Sequence, residues 1–131
     1  MTKQDQSIYL NSIAQAIFDK KGFNILALDV REISSLTDYV IIAEGNIEKH
    51  VSALTDAIID KMKELGQRPS FVEGDGDWIV IDYLHIMVHL FSPKIREKYQ
   101  LEQLWKQGEI VDLKIDVTPK HNQVAFNSAI N

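Results

Sequence analysis

Between Ile47 and Leu65 the apolar residues Ile47, Val51, Leu54, Ile58, Met62 and Leu65 recur at intervals of three and four, closed by Gly66 and then Pro69. This is the period of one face of an α-helix, with its stop signals in place. Asn46, just ahead, has a side chain suited to capping the helix N-terminus. Short β-competent runs stand on both sides: Ile25–Val30 and Thr37–Glu44 before it, and Phe71–Glu73, Trp78–Tyr83 and Ile86–Phe91 after it. The chain must therefore pack a long helix against a sheet. Gly74-Asp75-Gly76-Asp77 predicts a glycine-bearing hairpin turn between two of the strands.

Two further helices fit the periodicity. Leu10, Ile13, Ala14, Ile17 and Phe18 place one over Ser7–Lys21 with Gly22 as its C′ residue. Ile95, Tyr99, Leu101, Leu104 and Trp105 place another over Lys94–Lys106, bounded by Pro93 and Gly108. The order does not alternate strand and helix throughout. The expected fold class is therefore α/β of the α+β kind, a single domain with a mixed β-sheet of about five strands and helices packed mainly on one face. The helix after Asn46 makes the crossover. Residues 1–108 form the domain, and 109–131 a C-terminal extension. There Val111, Leu113, Ile115 and Val117 alternate with Asp112, Lys114 and Asp116, which fits an edge strand or a flexible tail.

Composition excludes several function classes. At 131 residues the chain is long enough for one core without a disulfide or structural metal, and it contains no cysteine for a thiolate site. Its formal net charge of −5 is the wrong sign for tracking phosphates, so no direct sequence-specific nucleic-acid binding is expected. The N-terminus lacks the basic and apolar regions of a signal peptide, and no apolar run reaches the ~20 residues that span a bilayer. The expectation is a cytoplasmic protein with no membrane partner.

Strand parity separates two surfaces. Ile79 and Ile81 point one way with Ile86, Val88 and Leu90 on the neighbouring strand, while Trp78, Val80 and Asp82 point the other way with Met87, His89 and Phe91. If helices cover the aliphatic side, the other carries aromatic groups with polar handles, a composition suited to a protein partner. Glu73, Asp75, Asp77 and Asp82 make the stretch around Trp78 acidic, with no base between Phe71 and Tyr83. Asp75-Gly76-Asp77 does not continue as a calcium loop, and His85 and His89 are four strand rises apart, ~13 Å, too far to share a metal. No metal or cofactor is expected. Asp38, Asp82 and His89 are the residues on which a small metal-dependent enzyme would have to be built. A scaffold that dimerises through an exposed sheet edge is the other alternative.

An ordered set of residues resembles the ribosomal silencing factor family, also called Iojap-like. The resemblance is carried by Leu28-Asp29-Val30, Thr37-Asp38-Tyr39, Gly45, His50, Glu73-Gly74, Trp78, Asp82-Tyr83, Val88-His89, Arg96, Tyr99, Leu101-Glu102 and Leu104-Trp105. It implies a nucleotidyltransferase-like fold without catalysis. It also implies a partner, the fourteenth protein of the large ribosomal subunit, and a mechanism, obstruction of small-subunit docking when nutrients are scarce. Gly45-Asn46-Ile47-Glu48-Lys49-His50 lacks the Gly-Ser turn and spaced aspartates of a nucleotidyltransferase.

On this resemblance the partner-binding residues are Glu73, Asp75, Asp77, Trp78, Asp82, Tyr83, Met87, Arg96 and Tyr99. Arg96 has a second reading, as a brace to Glu102 and the sheet. Leu84 and His85 stand where the family pattern has glycine and an acidic residue, which implies altered geometry in that turn, since leucine tolerates positive φ poorly.

Overall fold

The computed structural model describes residues 3–100, 103 and 106–118. Helix α1 (Lys3–Asp19) leads into β1 (Phe23–Asp29) and β2 (Tyr39–Glu44), an antiparallel pair. Helix α2 (Glu48–Glu64) then crosses to the hairpin of β3 (Phe71–Asp75) and β4 (Trp78–Asp82). Strand β5 (Ile86–Phe91) inserts between β4 and β2, antiparallel to the first and parallel to the second. Short α3 (Pro93–Tyr99) and β6 (Glu109–Ile110) follow. The sheet is mixed and six-stranded in the order β3-β4-β5-β2-β1-β6. The strand beyond the expected five is β6, two residues paired with Leu28 and Asp29 at the far edge.

The α-helices α1 and α2 cover one sheet face. Leu10, Ile13 and Ile17 of α1 and Val51, Leu54, Ile58 and Met62 of α2 share a buried cluster with Ile41, Ile79, Ile81, Ile86, Val88 and Leu90. On the opposite face Leu28, Val30, Val40, Ile42 and Phe91 form a smaller cluster, joined by Trp78 and by Ile95 of α3. Strand β2 is buried along its whole length because it lies inside the sheet with both faces covered.

Local chemistry corrects several sequence expectations. Asn46 does not cap α2: the cap position is Ile47, without a side-chain hydrogen bond. Instead the Asn46 backbone N–H donates to Nδ1 of His50 at 2.9 Å, which leaves Nε2–H to donate to the Lys20 carbonyl at 2.8 Å. His50 thus staples the start of α2 to the end of α1. Gly22 is not the left-handed residue after α1; that residue is Lys21, at φ 66°. The N–H of Gly22 closes on the Ile17 carbonyl at 2.8 Å, and a Cβ there would strike the Ile17 side chain.

Helix α3 also ends earlier than Lys106. Gln100 adopts φ 48° and its N–H closes on the Arg96 carbonyl at 2.8 Å. Ile95 and Tyr99 keep the helical spacing, whereas Leu101 is only two residues on and out of phase. Leu101, Leu104 and Trp105 themselves lie outside the described residues.

Up to Thr118 the C-terminal segment takes neither expected form: the edge strand is confined to Glu109–Ile110, and the residues after it are tied to α1. After β6, Val111 donates to the Ala27 carbonyl at 2.9 Å, and the chain runs on extended beside α1. There the Asn11 amide oxygen accepts from Lys114 N–H at 2.8 Å. The Gln15 amide pairs with both backbone groups of Asp116, at 2.7 and 3.0 Å. Four helical rises, about 6 Å, match two extended ones, about 6.6 Å, so two side chains on one helix face can clasp alternate residues of a strap. Val111 and Leu113 pack against the main core.

Candidate functional site

Antiparallel pairing puts directly opposed residues on the same face. Asp75 lies beside Trp78 and Phe91, Glu73 beside Val80 and His89, and Phe71 beside Asp82 and Met87. The face away from α1 and α2 thus carries an aromatic and apolar strip bordered by carboxylates. Glu73 and Asp75 are exposed, Trp78, Asp82 and Met87 half-buried. Asp77 sits in the hairpin turn, and its carbonyl accepts the Ser92 N–H at 2.9 Å, tying the hairpin to the start of α3.

Trp78 is the centre of this strip. Its ring centroid lies 5.3 Å from Tyr99, 6.2 Å from His89 and 6.4 Å from Phe91, the last in an edge-on arrangement. Its indole N–H donates to Nδ1 of His89 at 3.3 Å. Burial pushes the His89 imidazole down to about 4, so it is the neutral acceptor this bond requires. Tyr99 flanks the indole from α3 while half of its own surface, 50%, faces outward.

Two expected site residues belong elsewhere. Tyr83 does not share the Trp78 face: it continues the parity of Ile79 and Ile81 and packs, 9% exposed, in the core beneath the helices. Burial pushes its phenol up to about 12. Arg96 is taken up in a brace. Its Nη1 lies 2.7 Å from Oε2 of the buried Glu44 and 3.0 Å from the Asn24 carbonyl, while the Asn24 amide also donates to Glu44 at 3.0 Å. The guanidinium stands 5.8 Å from the Phe91 ring centre. This brace runs to Glu44; Glu102 lies outside the described residues. It locks α3 to the sheet and so places Tyr99 against Trp78.

The residues a catalytic site would need are engaged separately. Asp38 bonds the His85 ring at 2.9 Å, Asp82 accepts the Leu84 N–H at 2.7 Å, and His89 receives Trp78. Among the described residues there is no group of three or more His, Cys, Asp or Glu able to hold a metal ion. Nor is any described helix long and apolar enough to cross a membrane.

A family model described as "Ribosomal silencing factor during starvation" matches residues 3–130. The chain belongs to the ribosomal silencing factor family. Two silencing factors show the extent of the likeness. The ribosomal silencing factor RsfS of Bacillus subtilis is 36% identical over 111 residues, 83% of this chain and 94% of its own length. That of Haemophilus influenzae is 42% identical over 87 residues, 65% of this chain and 85% of its own. A crystal structure of a protein from Chromobacterium violaceum superposes with a TM-score of 0.75 at 29% identity, over 90% of this chain and 97% of that one.

In this silencing-factor domain, sequence reasoning missed Glu44 and Asn24, which hold Arg96. The one available signal was a charged residue closing the otherwise apolar strand Val40–Ala43, on the same parity as Val40 and Ile42.

Proposed function

We propose that this protein is a ribosome-associated translational repressor. It docks on the large ribosomal subunit through that subunit's fourteenth protein and obstructs joining of the small subunit, lowering translation under nutrient limitation. It acts by occupying space and makes or breaks no covalent bond. The observation that carries this reading is the Trp78 face, where a half-buried aromatic strip lies beside Glu73 and Asp75, whose carboxylates are exposed. Ribosomal proteins are generally basic, so the carboxylates steer approach while Trp78, Met87 and Tyr99 supply apolar area that prolongs the complex. Family membership and the names of the relatives support the ribosome as the partner.

Binding to purified large subunits tests the reading. A central aromatic anchor costs at least about 2 kcal/mol when truncated, so Trp78→Ala should weaken affinity about thirtyfold or more. Glu73→Lys with Asp75→Lys changes only exposed positions and should slow association and flatten its salt dependence. Folded variants that bind as tightly and as fast as the wild type would contradict the assignment of this face.

A further inference from the structure

Leu84 forms the tip of the turn between β4 and β5 at φ 75°, with 65% of its surface exposed. Both properties are unfavourable. In the left-handed region Cβ crowds the following carbonyl oxygen, and a bulky side chain is rarely tolerated there. An exposed leucine also gains little from leaving water.

The turn is nevertheless firmly built. Asp82 Oδ1 accepts the Leu84 N–H at 2.7 Å, Tyr83 N–H donates to the Ile86 carbonyl at 2.9 Å, and His85 N–H to the Tyr83 carbonyl at 2.9 Å. The His85 carbonyl accepts from both Asp38 and Tyr39, and its ring meets the Asp38 carboxylate at 2.9 Å. Every one of these bonds is compatible with glycine or asparagine at position 84, which enter the left-handed region at less cost. None of these bonds uses the leucine side chain.

We infer that Leu84 is a binding residue, an apolar anchor held out on a strained turn to enter a recess of the protein that covers the Trp78 face. Continuity supports that occupant: Asp82, which fixes Leu84, lies on this face between Phe71 and Met87. Leu36, 81% exposed, is a second bare leucine on the loop that Asp38 and His85 tie to the same turn. The matching partner surface is an apolar recess rimmed by basic residues. The inference rests on the ribosomal reading of the Trp78 face.

The test pairs thermal unfolding with affinity for purified large subunits, using Leu84→Gly, Leu84→Asn, Leu84→Met and Trp78→Ala in the full chain. Leu84→Gly and Leu84→Asn should keep or raise Tm yet bind about tenfold weaker, the loss expected for an interfacial leucine. Leu84→Met, which keeps apolar bulk, should bind within about threefold of wild type. Stability and affinity moving in opposite directions would distinguish an anchor from a structural residue. Wild-type affinity of Leu84→Gly alongside weak binding by Trp78→Ala overturns the inference and leaves the ribosomal reading standing. Wild-type affinity of both variants overturns both. A fall in Tm together with affinity, or Leu84→Met binding as weakly as Leu84→Gly, also overturns the anchor.

Discussion

The indole N–H of Trp78 donates to Nδ1 of His89 across 3.3 Å, so the half-buried aromatic at the centre of the sheet face is fixed by a buried polar group. The bond needs a neutral imidazole, and burial supplies it. Trp78 is therefore presented by a group that itself belongs to the fold.

Stability should consequently depend on pH through His89. The folded-state value of about 4 lies below the ordinary 6.5, so between these values the unfolded chain binds the extra proton. Stability then rises with pH: the contribution is complete above about 6.5 and is lost as pH falls toward 4. At pH 4.5 the loss relative to pH 7 is about 2–3 kcal/mol. Urea titrations at both values should show the wild type losing that much more than His89→Asn. Equal losses in the two proteins would show that His89 is not the titrating group.

The Glu44–Arg96 brace should be strongly stabilising to keep whole. Both side chains are largely buried, at 6% and 16% exposed, so Arg96→Ala strands a carboxylate in the sheet. Removing one partner of a buried pair costs about 3–5 kcal/mol. Arg96→Ala should show a loss of this size in denaturant, and the Glu44→Gln, Arg96→Met double variant should recover part of it. A loss under about 1 kcal/mol, the range of an exposed pair, would contradict the brace.

Much of this architecture was legible in the sequence because it is written in local periodicity. The spacing of Val51, Leu54, Ile58 and Met62 gave α2, and the parity of Trp78–Asp82 and Ile86–Phe91 separated the helix-covered face from the Trp78 face. Parity also contained the correct position of Tyr83, two residues beyond Ile81, but grouping it with Trp78 as a site residue ignored that alternation. What stayed hidden depends on contacts between distant segments. Glu44 and Arg96 are 52 residues apart, and His50 meets the carbonyl of Lys20 from 30 residues away. No local window contains either pair. Leu84 was a conflict between side-chain preference and turn geometry. The hydrogen bonds around Asp82 and His85 decided it in favour of the turn.

Subunit joining tests obstruction most directly. Purified small and large subunits are mixed with and without this protein and separated on a sucrose gradient, with its occupancy of the large subunit measured in the same fractions. Steric exclusion predicts a suppressed joined-ribosome peak, with the protein migrating on free large subunits, and restoration of that peak when Trp78→Ala replaces the wild type. An undiminished joined peak while the protein remains bound to the large subunit would contradict it.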